Sequence, residues 1–338
     1  MRFGLFGGGR IGHANPLGDS HGYLDFIDYV KEADRLGFES VFLVEHHFTG
    51  VGQLSASLNL LSYVAAATRR IRLGTAVVVL PWHNPALLAE QVGTLDVLSG
   101  GRVDFGIGRG YRKVEFEQFC IPMEEAQERF DECLAFLLKA WTTEGRFTHE
   151  SKHWKYRDIV VEPAPMQRPH PPIWMAGGSP ESITRVASMN FNLLVDQVGS
   201  MALTFERVRT YLDTLQRRGL PRNACRVGVA RGLHVVRTEA ERAKALERRR
   251  ATIRNIGELA RRPGSNEELV DDGALIGTPD EIIEKLHRLA EGGIEYVLLT
   301  NAVATPDALR EFAEDILPHA PAATENSSQN VTTVVGTT

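Results

Sequence analysis

Cysteine is scarce in this sequence: its 338 residues include only three, Cys120, Cys133 and Cys225, which lie far apart. An odd, scattered set favours reduced thiols over a disulfide framework, and no pair has the spacing of metal ligands. Long apolar runs are also missing, since none reaches the roughly eighteen residues of a membrane span. The first residues are strand-like, so we recognise no signal peptide. We therefore expect a cytoplasmic protein with no metal site and no membrane association.

An excess of positive charge is absent as well. The 38 Lys and Arg residues are outnumbered by 43 Asp and Glu residues, for a formal net charge of -5. Two runs of arginine, at residues 248–250 and 261–262, have acidic residues nearby, and we interpret them as solvated helix faces. A nucleic-acid partner is therefore not expected. The composition, 43% hydrophobic and 24% charged, is typical of a globular protein.

Strand-like and helix-like segments alternate along most of the chain. In residues 23–36, for instance, apolar side chains recur at spacings of three and four, which predicts a helix, and Gly37 follows as a helix-ending residue. The run Val77-Val78-Val79-Leu80 is apolar on both faces, as strands of a parallel sheet are. Eight strands are predicted, at residues 2–6, 40–44, 71–80, 103–108, 173–176, 192–195, 226–236 and 294–300.

Eight strands alternating with about as many helices predict an α/β fold, a (β/α)8 TIM barrel with insertions, which occupies residues 1–318 as one domain. A doubly wound sheet is the alternative. Residues 147–161 do not fit the alternation, and we interpret them as an insertion. Residues 319–338 are rich in Ser, Thr, Asn and Ala without any period, and we predict a disordered tail there.

The sequence Glu45-His46-His47-Phe48 directly follows the second predicted strand. In parallel α/β proteins, TIM barrels included, ligands and catalytic groups meet the chain at the carboxyl ends of strands. Histidine titrates near 6.5, so a Glu-His-His cluster at such an end is suited to general acid–base catalysis near neutral pH. A polar surface loop is the plainer interpretation of this stretch taken alone.

Two further segments predict a phosphate site. Arg109 follows the fourth strand between two glycines, where a ligand can approach the backbone and a guanidinium can bind phosphate through two hydrogen bonds. Residues 176–182 open a helix, whose first N–H groups, with the Ser179 and Ser182 hydroxyls, can hold an anion. Alone, this second segment is better explained as a helix cap. Because both segments end neighbouring strands, we predict that they form one site.

A third motif is interpreted as a false lead. The sequence Gly7-Gly8-Gly9-Arg10-Ile11-Gly12 matches the G-x-G-x-x-G pattern of dinucleotide-binding proteins. Turn-forming residues at 13–18 delay the next predicted helix, and Glu45 lies too far along the chain to be the acid that binds ribose. We therefore predict a loop over the barrel mouth, and no nicotinamide site.

In their order and spacing, several motifs make this sequence resemble a known family, the bacterial luciferase-like flavin-dependent monooxygenases, to about Leu317. No single motif is specific, but their combination is. The Glu45-His46-His47-Phe48 variant is most similar to the luciferase α-subunit branch. The matching stretches are residues 33–38, 45–48, 73–77, 80–81, 84–85, 90–102, 106–110, 172–177 and 276–279.

The resemblance implies a TIM barrel that forms a homodimer and binds reduced FMN at its carboxyl-terminal mouth. A separate flavin reductase would supply the reduced FMN as a co-substrate. Reaction with O2 would give a flavin C4a-peroxide, which would transfer one oxygen atom to a small organic substrate. The enzyme would thus be a two-component monooxygenase, an oxidoreductase.

The resemblance also implies roles for individual residues. His46, with Glu45 beside it, would do acid–base catalysis near the reactive edge of the flavin. A cis peptide bond at Ala76–Val77 would lie beneath the flavin ring. The implied cofactor-binding residues are Ala76, Val77, Arg109, Ala176, Gly177, Gly178, Ser179 and Ser182.

The substrate pocket is less strongly marked. Trp82, His83 and Tyr111 lie on loops at the same mouth and are candidate substrate contacts, although simple loop packing explains them equally well. Luminous members of the family carry a reactive cysteine where this chain has Gly108. Light emission from a long-chain aldehyde is therefore not expected.

Two alternatives to the monooxygenase remain open. One is a hydride-transferring oxidoreductase that uses the deazaflavin F420, since that group shares the fold. The other is a non-catalytic partner subunit similar to the luciferase β-chain, which the presence of Glu45, His46 and Arg109 in one chain disfavours. A metal hydrolase is disfavoured because the first strand offers no histidine pair.

Overall fold

The computed structural model describes residues 1–8, 19–48, 54–222, 224–260, 272–300 and 305–322. Its strands are β1 (Arg2–Gly7), β2 (Ser40–Leu43), β3 (Arg72–Thr75), β4 (Val78–Val79), β5 (Val103–Gly108), β6 (Phe147–Glu150), β7 (Lys155–Ile159), β8 (Ile173–Ala176), β9 (Asn192–Val195), β10 (Val227–Val235), β11 (Leu275–Gly277) and β12 (Tyr296–Thr300). Eight of them pair in parallel in the order β1, β2, β3, β5, β8, β9, β10 and β12. Because β12 also pairs with β1, the ring closes, which confirms the (β/α)8 barrel and excludes the doubly wound sheet.

Helices connect the barrel strands and cover their outer faces. α3 shows how the sequence sets such a helix: the Asn84 side chain accepts hydrogen bonds from the N–H groups of Ala86 and Leu87, Pro85 begins the helix, and Gly100 ends it with φ of 69°. The helices are α1 (Asp19–Leu36), α2 (Ser57–Ala67), α3 (Pro85–Ser99), α4 (Lys113–Gln118), α5 (Ala126–Thr142), α6 (Pro180–Ser188), α7 (Met201–Arg217), α8 (Glu239–Ala260), α9 (Pro279–Glu291) and α10 (Pro306–Asp315).

The barrel strands bury both of their faces. In β2, Val41 and Leu43 belong to the large core between strands and helices, while Phe42 points into the barrel. Gly74 on β3 leaves room for the Phe42 ring, since a β-carbon there would lie 2.4 Å from it. The interior is filled by a separate cluster of buried side chains, namely Phe42, Trp174, Leu194, Ala230, Tyr296 and Leu298. This packed interior leaves the loops at the carboxyl ends of the strands as the place for a site.

Three elements differ from the sequence prediction. The single strand predicted at 71–80 is interrupted, because a cis peptide bond between Ala76 and Val77 separates β3 from β4. The segment between β5 and residue 123 was not recognised as helical from the sequence but contains α4, whose short apolar face includes the buried Phe116. The strand β11 was not predicted, and with three residues it is too short to show a period.

The predicted insertion at 147–161 is an antiparallel hairpin formed by β6 and β7. The predicted tail at 319–338 falls mostly outside the described residues. A short helical turn at Leu317–His319 runs into its start, and the Pro321 carbonyl accepts a hydrogen bond from the amino group of Met1. The boundary of the domain therefore stays a prediction. Within the described ranges, no helix combines the length and the apolar character needed to cross a membrane.

Candidate active site

Glu45 is buried where β2 ends. Only 4% of its surface is exposed, and its carboxylate accepts a 2.7 Å hydrogen bond from the Val79 N–H. The same carboxylate lies 2.8 Å from His83 Nε2 and 3.4 Å from His47 Nε2. Burial opposes the charge, but the two histidines and the Val79 N–H outweigh it and lower the pKa of Glu45 to about 2. Glu45 therefore stays ionised at neutral pH and holds its neighbours in place.

Glu115 on α4 is a second buried carboxylate, 1% exposed, which the sequence analysis missed. It accepts a 2.9 Å hydrogen bond from the His47 N–H and lies 3.1 Å from His46 Nδ1. The Arg112 guanidinium is 3.8 Å away. Its helix has only six residues, and 69 residues separate it from His46 in the chain. No local motif therefore joins the two residues.

The contact with Glu115 fixes the orientation of the His46 ring. A carboxylate accepts hydrogen bonds, so we assign the proton to Nδ1, which leaves the lone pair on Nε2 free for a substrate or cofactor. Burial lowers the pKa of His46, Glu115 partly offsets this, and Arg112 lowers it further. His46 is consequently neutral at pH 7 and able to accept a proton.

The three candidate substrate residues lie in different surroundings. His83 is engaged with Glu45. Trp82 packs between Phe119, at 5.2 Å between ring centres, and Phe116, at 5.5 Å, and its buried Nε1 has no partner among the described residues. Tyr111 is 40% exposed, with its ring 6.4 Å from that of His46. Of the three, Tyr111 is placed best to meet a substrate.

The Ala76–Val77 peptide bond is cis, as the resemblance implies. Both side chains pack against the cluster that fills the barrel interior, so the bond lies at the carboxyl-terminal end of that interior. Gly108 is next to it, and a β-carbon at Gly108 would lie 2.4 Å from the Val77 side chain. A cysteine at position 108 would need Val77 to move, which gives a structural reason for glycine there.

The two halves of the predicted phosphate site lie on adjacent strands. Ile107 pairs with Met175, so Arg109 and Gly177 follow at corresponding positions past the ends of β5 and β8. Arg109 is exposed. At the start of α6, Ser182 Oγ accepts hydrogen bonds from the N–H groups of Gly178 (3.1 Å) and Ser179 (3.0 Å). These donors and hydroxyls fit a phosphate group, which would take the place of Ser182 Oγ as acceptor.

Ser179 shows that the same segment is also a helix cap. Its hydroxyl accepts a 3.2 Å hydrogen bond from the Ser182 N–H and completes a capping box. The backbone of Gly178 is further fixed by Arg207, which donates to its carbonyl at 3.0 Å and pairs with Asp196 at 3.2 Å. A capped, braced helix start is a rigid place to hold an anion.

Two sequence predictions concern other regions. Most of the G-x-G-x-x-G segment, from Gly9 onward, lies outside the described residues, so its interpretation stays a prediction. In the described part of the chain, metal-ligand side chains cluster at Glu128, Glu132 and His153. Lys152 donates a hydrogen bond to the Glu128 carboxylate at 2.7 Å, and the His153 N–H donates to Glu132 at 2.9 Å. These contacts indicate that the cluster anchors the turn between β6 and β7.

Several known proteins are similar to this chain in sequence. The profile described as luciferase-like monooxygenase matches residues 1–296. The oxygenase component of a flavin-dependent trigonelline monooxygenase from Acinetobacter baylyi is 31% identical over 188 residues, 54% of this chain and 50% of that protein. An FMNH2-dependent dimethylsulfone monooxygenase from Pseudomonas putida is 26% identical over 326 residues, 86% and 87% of the two chains. The chain spans about half the length of the first curated relatives it matches.

Solved structures share the fold. The oxygenating constituent of 3,6-diketocamphane monooxygenase from Pseudomonas putida, in complex with FMN, superposes with a TM-score of 0.77 and 21% identity, covering 96% of this chain and 99% of that one. An F420-dependent secondary alcohol dehydrogenase gives a TM-score of 0.76 and 16% identity, covering 96% and 99%. From the barrel, its mouth and the profile match over most of its length, the chain belongs to the luciferase-like monooxygenase family.

Proposed function

We propose that this protein is the oxygenase component of a two-component monooxygenase that uses reduced FMN and O2 to oxidise a small organic substrate. The observation that carries the proposal is the meeting, at one barrel mouth, of three features. They are a neutral, oriented histidine, a capped helix start whose N–H groups and hydroxyls can hold an anion, and a cis peptide. Relatives named as FMNH2-dependent and as an oxygenase component support the same reading.

FMN would supply the activation of O2, and the protein would bind and orient it. Its phosphate would lie between Arg109 and the start of α6, where Gly177, Gly178, Ser179 and Ser182 supply N–H groups and hydroxyls, with Ala176 at the strand end. The flavin ring would then extend over the Ala76–Val77 peptide. This arrangement places the ring in the mouth, beside the end of β2.

His46 would exchange a proton with the substrate or the bound flavin through Nε2. Glu115 would hold the ring and Glu45 would hold His83 and His47, so both carboxylates act as positioning residues. With a pKa of about 2, Glu45 would stay ionised near neutral pH and would support catalysis by positioning its neighbours rather than by exchanging a proton. Tyr111 would contact the substrate.

A homodimer in the cytoplasm is also proposed. Leu87 and Leu98 on α3 are exposed and lie three turns apart on one face, and Tyr63 is exposed on α2, which packs against α3. This apolar surface suits a second copy of the chain. Monomers at micromolar concentration in a sedimentation experiment would contradict this part of the proposal.

We expect that the protein cannot reduce its own flavin. The purified chain, loaded with FMN and mixed with NADH or NADPH without oxygen in a stopped-flow instrument, should bleach no faster than free FMN. Addition of a flavin reductase should then cause rapid bleaching of the flavin absorbance. The physical reason is that the segment at 7–12 lacks the sequence context of a nicotinamide site.

Fast bleaching without a reductase would contradict the two-component assignment and favour a self-contained oxidoreductase. Tight binding of F420, with hydride transfer to an acceptor and no use of O2, would favour the deazaflavin alternative instead. A folded protein that binds neither flavin would favour the non-catalytic partner subunit.

A further inference from the structure

Across the barrel mouth from His46, a buried arginine, Arg249, reaches a group of residues at the ends of three adjacent strands. Gln197 follows β9, Gly232 lies in β10, and Thr300 ends β12, so all three are at the carboxyl ends of adjacent strands. In the ring of strands, β9 is four steps from β2 and therefore opposite it. The Arg249 side chain reaches this group from α8.

Arg249 is the middle residue of the arginine run at 248–250, which the sequence analysis interpreted as a solvated helix face. That interpretation is correct for Arg248 and Arg250, which are exposed, and wrong for Arg249, which is 4% exposed. The helix turns this one guanidinium toward the barrel. Such a burial needs a reason, because charged side chains are rarely buried without a partner.

The guanidinium of Arg249 lies over the inner face of the barrel. Its Nη1 would be 3.5 Å from a β-carbon at Gly232, and Gly232 shares the inward side of β10 with Ala230 of the interior cluster. Nη2 donates to the Gln197 carbonyl, and Nη1 lies 3.4 Å from Gln197 Oε1, to which the Thr300 hydroxyl also donates at 3.0 Å. The oxygen of a neutral amide thus occupies the point on which two donors converge.

No carboxylate among the described residues forms an ion pair with Arg249 or with its neighbour Arg231, which is 0% exposed. Among the described residues, Arg231 donates to the carbonyls of Asp196 and Ala230 and to the Thr204 hydroxyl, none of which is charged. Within the described chain, the Nε atoms of both arginines have no partner. Burial lowers the pKa of both groups to about 10, which leaves both charged at neutral pH.

The nearest acid does not balance this charge. The Asp196 carboxylate is paired with Arg207 at 3.2 Å. Asp272 also acts on Arg231, but it accepts a hydrogen bond from the Met201 N–H at 3.0 Å and pairs with Arg288 at 3.5 Å. Among the described residues, both nearby carboxylates are thus engaged by other partners. The phosphate of FMN is assigned elsewhere, to Arg109 and the start of α6 on β5 and β8, so an additional anion is called for here.

We propose that Arg249, with the Thr300 hydroxyl, binds a carboxylate of the organic substrate, so that the enzyme acts on small carboxylic acids rather than on neutral compounds. The carboxylate would replace Gln197 Oε1 as the acceptor for Arg249 Nη1 and the Thr300 hydroxyl, and the Gln197 carbonyl would continue to hold Nη2. Held there, across the mouth from His46, the substrate would lie over the flavin ring. The claim that this carboxylate belongs to the substrate rests on the proposed function. The claim that carboxylates bind at Arg249 does not.

The test is calorimetric titration of the flavin-free, full-length protein with matched pairs of acids and amides: benzoate and benzamide, nicotinate and nicotinamide, octanoate and octanamide. At least one acid should bind, and its amide should bind at least about tenfold more weakly. Arg249→Gln should weaken acid binding by about tenfold or more. Arg250→Gln, an exposed change on the same helix, should bind as the wild type does.

Arg249→Lys guards against loss of folding, because it keeps the charge but not the fork of two donors, and it should bind the acid with intermediate affinity. FMN affinity should be unchanged in all three variants. Equal binding of acids and amides, no binding by any acid, or a loss of FMN affinity in Arg249→Gln would overturn the inference. Acid binding through Arg249 in a protein that makes no use of reduced FMN would preserve this site and contradict only the proposed function.

Discussion

Replacement of His46 by alanine is expected to lower turnover by about a hundredfold or more, with FMN affinity near that of the wild type. The reason is that His46 lies at the end of β2 with Nδ1 held by Glu115 and Nε2 free, a geometry that serves proton transfer. The measurement is turnover with chemically reduced FMN, beside equilibrium titration of FMN. His287→Ala, an exposed histidine change on α9, is the control and should leave both quantities unchanged.

The pH profile tests the same residue independently of its removal. Burial lowers the pKa of His46, so the acidic limb of kcat/KM should lie below the ordinary value near 6.5. Glu115 raises this pKa, so Glu115→Gln should move the limb to still lower pH. A folded His46→Ala protein with normal turnover, or an acidic limb that Glu115→Gln leaves in place, would remove His46 from the chemistry.

Replacement of Arg109 by alanine is expected to weaken FMN binding by about tenfold or more, since it removes a charge-assisted, two-pronged contact with the phosphate. Riboflavin, which lacks the phosphate, should bind the variant and the wild type equally. Titration calorimetry with both flavins measures the difference directly.

Two variants sharpen this assignment. Arg109→Lys keeps the charge without the planar fork and should fall between wild type and alanine. Arg157→Ala, on the exposed hairpin, should behave as the wild type does, because its side chain is 84% exposed. Unchanged FMN affinity in Arg109→Ala, or an equal loss for riboflavin, would show that the phosphate lies elsewhere.

The barrel could be predicted from the sequence because its signal is repeated. Each βα unit must bury a strand on both faces, and the alternation of apolar runs therefore appears eight times. The position of the cis peptide came from the resemblance, through the motif at 73–77, and the structure has it at Ala76–Val77. Local caps, such as Ser179 before α6, were also visible.

What could not be predicted is what tertiary packing decides. Glu115 is an unremarkable acid in the sequence, and only the docking of the six-residue α4 brings it to His46. Arg249 is the middle residue of a run of three arginines. Only the orientation in which α8 packs makes it buried while its two neighbours are exposed. The sequence puts Glu45 just after β2, but its role depends on its contacts with Val79, His83 and His47, which the sequence does not show.

The central claim, oxygenation by reduced FMN and O2, is tested most directly with isotopically labelled oxygen. The purified protein is mixed with chemically reduced FMN, oxygen-18 gas and a panel of small carboxylic acids and carbonyl compounds. The masses of the products are then measured by mass spectrometry. We expect a product that carries one oxygen-18 atom, that forms only when the protein is present, and that His46→Ala forms far more slowly. Formation of hydrogen peroxide alone, with every compound in the panel left unlabelled, would contradict it.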